Sequence, residues 1–312
     1  MMQHAQKAMK YLNAAMKSDG KWEDFPDTTP GLSDQWVTAH TGLCILDSRL
    51  SLDDDTRSSI ARACTFLKAN QKPDGGWGYN GMIAADTDST AHALLLLRMA
   101  GQPAPRKAYA FLLENRLPDG SFATYRTGGG SGWSCGHPDV TALAAQALYG
   151  VHLRDPRILR QTRECLEQYL RASPLPPSYW WRSPYYTALV CLRTCWTFGW
   201  EYPEEAVLEA CLLGKTPDSP VDCALRLELL AKLAPENPAT AEALAALLSC
   251  QEEDGSFRGG AILRIPPPHI YEPWSEEDAK MEHVADLCGV YTTAAALRSI
   301  GALWERTDAS AR

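Results

Sequence analysis

Lys72-Pro73-Asp74-Gly75-Gly76-Trp77, followed by Thr90-Ala91-His92, decides how this chain folds. The first segment is a turn. Asp-Gly supplies a tight reversal with glycine at positive φ, and the aromatic residue packs onto the helix behind it. The second opens an apolar run, Ala91-His92-Ala93-Leu94-Leu95-Leu96-Leu97, which reads as a buried helix. Both segments recur. The turn returns as Asp19-Gly20-Lys21-Trp22, Asp119-Gly120-Ser121-Phe122 and Asp254-Gly255-Ser256-Phe257. The helix start returns as Thr38-Ala39-His40, Thr141-Ala142-Leu143, Thr187-Ala188-Leu189, Cys223-Ala224-Leu225 and Thr293-Ala294-Ala295. From Thr38 to Thr293 there are 255 residues in five steps, a mean of 51. Such a period, with two helical segments per unit, predicts helical hairpins stacked side by side.

Six hairpins without capping repeats at either end favour closure over an open solenoid. The expected fold is all-α, six helical hairpins closed into an (α/α)6 barrel, with residues 1–312 as one domain and almost no sheet. The starts of the inner helices should line a central cavity. Trp22, Trp77, Phe122 and Phe257 should be staples outside those helices. The fourth and fifth units lack the Asp-Gly turn; Pro174-Leu175-Pro176-Pro177 and Thr216-Pro217-Asp218-Ser219-Pro220 stand in its place. The longest insertion, 265–281, could lie over one cavity mouth as a lid.

A formal charge of −8 and the lack of a basic run argue against nucleic acid as a partner. No stretch has the length and apolarity of a membrane span, and the first residues lack a signal-peptide core. Ten scattered cysteines, several within apolar helical runs, fit reduced thiols in a cytoplasmic protein.

The chemistry concentrates at Asp86-Thr87-Asp88-Ser89-Thr90. Two acids two residues apart open a buried helix. Burial and mutual repulsion both raise a carboxyl pKa, leaving an acid that keeps its proton near neutrality. Facing an apolar cavity, such an acid suits protonation of an alkene. Helix capping is the competing reading. Asp34 and Asp139, at related repeat positions, favour it by showing that acids at helix starts are a habit of the repeat. His40 and His92 also occupy equivalent positions and could relay a proton to Asp88. Because the acid must be re-protonated after each turnover, a polar path to it is expected. Trp133, Trp180, Trp181, Tyr185, Tyr186, Trp196 and Trp274 are candidates to line the cavity, where aromatic faces stabilise carbocations.

These motifs resemble those of the terpenoid-cyclase and protein-prenyltransferase superfamily. The Asp-Gly-x-aromatic turns look like degenerate QW repeats of squalene-hopene cyclases, most clearly at Gln71–Gly78. Asp86–Thr90 falls where class II terpene cyclases carry D-x-D-D-T-A, and is closest to the D-x-D-T-T form of drimenyl and albicanyl diphosphate synthases. Trp180-Trp181-Arg182-Ser183-Pro184-Tyr185-Tyr186 is similar to the W-H-x-S-P-Y-Y segment of bacterial class II diterpene cyclases. The resemblance implies class II cyclisation of a linear prenyl diphosphate, such as farnesyl or geranylgeranyl diphosphate, with the diphosphate retained. Asp88 would donate the proton, Asp86 would tune it, and Ser89 would hydrogen-bond to Asp88. Trp180, Trp181, Tyr185 and Tyr186 would bind substrate. Arg182 and Arg258, with Lys280 as a third candidate, would meet the diphosphate. Mg²⁺ could enter with that diphosphate, for instance against Glu272, Glu276, Glu277 and Asp278; no organic cofactor is implied. Most class II cyclases carry a second helical domain. This single barrel would therefore need the insertion loop, a homodimer or a partner domain to close its cavity.

Two other functions compete. A zinc prenyltransferase β-like subunit would use Asp286-Leu287-Cys288 with His137 or His283. A non-catalytic ring would bind a lipid or a protein, having lost the fourth acid of the motif to Ser89.

Overall fold

The computed structural model describes residues 1–27, 29–126, 130–151, 155–214, 217 and 219–310, without the side chains of 306–310. Twelve helices form among them. The inner ring is α2 (Gln35–Asp47), α4 (Thr87–Met99), α6 (Pro138–Leu148), α8 (Tyr186–Phe198), α10 (Pro220–Leu233) and α12 (Val290–Ser310). Each inner helix packs on the next, and α12 packs on both α10 and α2, so the ring closes. The outer helices are α1 (Met2–Ala15), α3 (Asp54–Ala69), α5 (Arg106–Glu114), α7 (Arg157–Ala172), α9 (Glu204–Leu213) and α11 (Pro238–Ser249). The inner helices are apolar nearly all round because both their faces are covered. Every residue of α2 from Gln35 to Ile45 is buried. The outer helices show one stripe, as α7 does in burying Thr162, Cys165, Leu166 and Leu170. All ten cysteines are unpaired, and seven of them are buried.

The repeated turn and the repeated helix start form one device. The backbone N–H groups of Trp22, Trp77, Phe122 and Phe257 donate to the hydroxyls of Thr38, Thr90, Thr141 and Thr293, at 2.8 to 3.0 Å. Those four aromatic side chains are completely buried between the two rings, each contributing about 2 to 3 kcal/mol of apolar burial. The turn glycines have φ between 89° and 97°. A Cβ on Gly20, Gly75, Gly120 or Gly255 would lie 2.5–2.8 Å from the carbonyl oxygen of Arg62, Lys107, Gln161 or Lys7. Each turn therefore packs backbone-to-backbone on an outer helix, and the last of them docks on α1. Thr187 has no such partner; its hydroxyl is buried without a hydrogen bond. In the fifth unit, Thr216 and Asp218 lie outside the described residues.

Sheet is more than a trace. Three antiparallel two-stranded ribbons precede inner helices: β1 (Asp24–Asp27) with β2 (Gly31–Ser33), β3 (Trp77–Gly78) with β4 (Ala85–Asp86), and β5 (Gly260–Ile265) with β6 (Glu282–Asp286). A segment pinned at its aromatic turn and again at its helix start must cross the barrel end extended. Two such segments can then share backbone hydrogen bonds. The insertion 265–281 is the tip of the third ribbon.

Candidate active site

The ribbon register positions the acids. Trp77 pairs with Asp86, so the strand ends where α4 begins and Asp86 becomes its N-cap. Its Oδ1 accepts from the Ser89 N–H and its Oδ2 from the Ser89 hydroxyl, both at 2.7 Å. Ser89 thus serves Asp86 and not Asp88, contrary to the sequence expectation, because an N-cap side chain reaches the N–H three residues on. Burial pushes the Asp86 carboxyl up to about 7, while the two Ser89 bonds pull it back. Thr90 holds Trp77 in place and is structural, as expected.

Asp88, the second residue of α4, is 19 % exposed, and that exposure opens into a cavity of about 400 Å³. Burial lifts its carboxyl well above the usual range, the charges of Asp86 and Asp139 add to this, and the Trp36 indole pulls the other way. Asp139 was read from the sequence as a capping habit. In the first turn of α6 it accepts from the next N–H, of Val140, and from the Ser178 hydroxyl, yet it also lines the cavity.

Aromatic rings form the walls: Trp36, Tyr79, Tyr125, Trp133, Trp180 and Trp181. Trp180 donates to the Thr124 hydroxyl at 2.9 Å. Trp181 stacks on Tyr291 with centroids 4.9 Å apart. Strand β5 adds Leu263 and Ile265 to an apolar wall that also holds Ile83, Ala84 and Val140. It docks on the Trp180–Arg182 backbone, with Arg264 N donating to Trp180 O at 2.7 Å and Arg182 N donating to Ile262 O at 3.1 Å. Beyond it, Pro266 O accepts from the Trp133 indole and Ile270 O from the Tyr179 hydroxyl, each at 2.8 Å. The start of the insertion therefore crosses beside the cavity, whereas Tyr271 and Trp274 are exposed.

Several sequence candidates lie elsewhere. Tyr185 is buried on the far side of its helix start; its hydroxyl approaches Gly214. Tyr186 packs under Trp181, at 4.8 Å, and lines a different cavity below. Arg182 is exposed and pairs with Asp278 at 2.7 Å. Arg258 is exposed and turned toward Leu287 O and Asp254. Lys280 pairs with Glu276. Neither Arg182 nor Arg258 lines this cavity. Among the described residues, four carboxylates (Asp27, Asp86, Asp88 and Asp139) line the cavity, and no lysine or arginine does. Trp196 sits at the opposite end of the barrel. Asp27, Trp36, Tyr79 and Tyr125 were missed by sequence reasoning. The first two flank ribbon β1–β2, and the Trp36 position directly after the Asp34-Gln35 helix start was the available signal.

The zinc set does not assemble. Asp286 accepts from the Thr292 and Gly259 N–H groups, Cys288 is exposed, and His137 bonds Gly132 O and stacks on Tyr179. Among the described residues, no three His, Cys, Asp or Glu side chains converge on a metal position.

A closed double ring of helices, with helix-start acids facing an aromatic cavity, defines a class that sequence comparison identifies. The chain belongs to the prenyltransferase alpha-alpha toroid domain family, whose model matches residues 5–145 and 223–311. Drimenyl diphosphate synthase from Streptomyces showdoensis is 34% identical over 118 residues, 36% of this chain and 20% of that protein. The chain thus spans about one fifth of that relative. The structure of the type II terpene cyclase MstE from Scytonema in complex with geranylgeranyl dihydroxybenzoate superposes with a TM-score of 0.79 at 24% identity, covering 97% of each chain. An unsaturated glucuronyl hydrolase specific for heparin shares the fold at a TM-score of 0.64 and 13% identity, covering 98% of this chain and 97% of its own. The fold alone therefore does not choose the reaction.

Proposed function

We propose that this chain is a class II terpene cyclase in which Asp88 protonates the terminal alkene of a linear prenyl substrate. One observation carries the reading. Asp88, whose carboxyl burial lifts well above the usual range, opens onto a cavity walled mainly by six aromatic rings and aliphatic side chains, with Asp27, Asp86 and Asp139 also in its lining. Alkene carbons are weak bases, so the donor must be strong and kept from water. The resulting cation meets ring faces, each worth about 0.5 to 2 kcal/mol. Asp86 and Asp139 act as positioning residues that set the acidity of Asp88.

Retention of a diphosphate belongs to the same proposal, with farnesyl or geranylgeranyl diphosphate as substrate. The carboxylate lining repels a bare diphosphate, so Mg²⁺ would have to accompany it as counter-ion. A second reading of the head group is favoured by that same cation-free lining. In it the prenyl chain carries an aromatic head, as in the MstE complex. Incubation with each substrate class, with and without a chelator, separates the two. Products are read by mass spectrometry, after phosphatase treatment for the diphosphates. Cyclisation in wild type and its loss in Asp88→Asn supports the proposal. Inorganic diphosphate released with each cyclisation, or full turnover by Asp88→Asn, overturns it. Closure of the cavity by a second copy of the chain is proposed alongside. Monomeric behaviour of the active enzyme in sedimentation would rule that out. No described helix is long and apolar enough to cross a membrane. Cytoplasmic residence remains part of the proposal.

A further inference from the structure

After each turnover Asp88 is a carboxylate and needs a proton. This inference rests on the cyclase reading above. A return path through the substrate cavity would bring water to the carbocation. The barrel offers another. Beneath the aromatic floor of Trp181, Tyr186 and Tyr291 lies a cavity of about 170 Å³ that touches His40 and His92. It shares Arg193 and Arg298 with a polar chamber of about 330 Å³ at the other end of the barrel, where Arg49 and Trp196 are exposed.

His92 spans the gap. It lies one turn after Asp88 on α4, so both face the barrel axis. Its Nδ1 is 3.0 Å from the Asp88 carbonyl oxygen and 3.6 Å from Asp88 Oδ2. A ring nitrogen against a carbonyl must carry the proton, which assigns the Nδ1–H tautomer. Nε2 makes no hydrogen bond to any described residue and is left as the acceptor toward the lower cavity. Other charged or titratable groups face the ring. His40 has its ring centroid 5.6 Å away and a buried Nδ1 without a partner; Arg193 and Arg298 share the same cavity. Burial and the two arginines hold His92 neutral, with its pKa lowered to about 4.

We propose that Asp88 recovers its proton from the opposite end of the barrel through His92, and not through the substrate cavity. His92 Nε2 takes a proton from solvent in the lower cavity as Nδ1–H passes to the Asp88 carboxylate. The imidazole stays neutral overall and resets when its ring turns toward the lower cavity, where Nε2 returns its proton to solvent and Nδ1 takes one up. One proton enters from below per turnover, and one leaves above when the final cation is quenched. Solvent and carbocation are thereby kept on opposite faces of one carboxyl group.

The test separates the first turnover from the later ones. Enzyme already carrying the Asp88 proton needs no relay for its first cyclisation. His92→Ala should keep the single-turnover rate within about twofold while steady-state turnover falls about tenfold or more. Added imidazole, able to occupy the space vacated beside the lower cavity, should restore steady-state turnover. His92→Gln keeps bulk without passing a proton, and carries the same kinetic expectation if the alanine variant does not fold. Equal losses in both regimes, an unchanged steady state, or no response to imidazole would overturn the relay. Failure of wild type to cyclise even once would instead overturn the cyclase reading.

Discussion

The two ends of this barrel are built from the same six helices and have opposite chemistry. The upper cavity joins carboxylates to aromatic rings and has no cation in its described lining. The lower chamber sets Arg49, Arg193, Lys232 and Arg298 against Asp47, Glu228 and Glu305. Helix direction accounts for much of this. All six inner helices start at the upper end, where N-termini favour acids, and run toward the lower end, where C-termini favour cations. Asp86 caps α4, Asp88 and Asp139 sit in first turns, and Arg98 and Lys232 in last turns. Arg98 donates to the carbonyl oxygens of Gln146, Ala147 and Tyr149 at the end of α6. The upper acids that exceed capping needs are the chemically useful ones. Asp86 and Asp139 use their oxygens on serines and backbone N–H groups. Asp88 lies instead in the cavity lining, with the Trp36 indole as its polar neighbour.

The contrast can be broken most severely at Asp88. Asp88→Asn keeps shape and removes the proton. Turnover should fall about 10⁴-fold, the upper range for a general acid. Thermal stability should hold or rise, because a buried carboxyl group is replaced by a neutral amide. At the lower end the expected loss is in stability. Glu228 is 2 % exposed and bridges Arg193 and Arg298. Glu228→Leu strands the buried Arg298 and the half-buried Arg193 and should cost about 3 kcal/mol in urea unfolding. Stability unchanged in that variant would mean that solvent already screens the lower chamber.

Asp86 gives a smaller, pH-dependent effect. In the fold it holds its proton up to about 7, whereas the unfolded chain releases it near ~3.9. Between these values the native state binds the extra proton. The Asp86 contribution is therefore greatest below the lower value and is lost as pH rises toward the upper one. Asp86→Asn should flatten that part of the unfolding free energy against pH, and should lower turnover less than Asp88→Asn. The smallest effect is expected at Arg182. Its exposed pair with Asp278 is worth about 0.5 kcal/mol at most, and its guanidinium faces away from the cavity. Arg182→Gln should leave Tm and KM close to wild type. A large rise in KM would return the arginine to the substrate.

The repeat was legible because it is local. Asp-Gly, an aromatic and a threonine obey the same rules in every unit, and the structure joins them by one hydrogen bond repeated four times. Asp86 and Asp88 were legible for a related reason, since two acids opening an apolar helix conflict with burial. Trp180 and Trp181 line the cavity, whereas Tyr185 and Tyr186 of the same motif do not. Motif spacing does not report the rotation of a helix about its axis.

By itself the sequence determined six helical units, their turns, and an acid pair at one inner-helix start, because each depends on residues a few positions apart. Only the tertiary structure decided which acids meet one cavity, that β5 walls it against Trp181, and that His92 lies between Asp88 and the smaller cavity beneath. Those contacts join residues brought together by closure of the ring, such as Trp181 with Leu263. Closure aims each side chain through the packing of its neighbours, which no single stretch of the chain encodes.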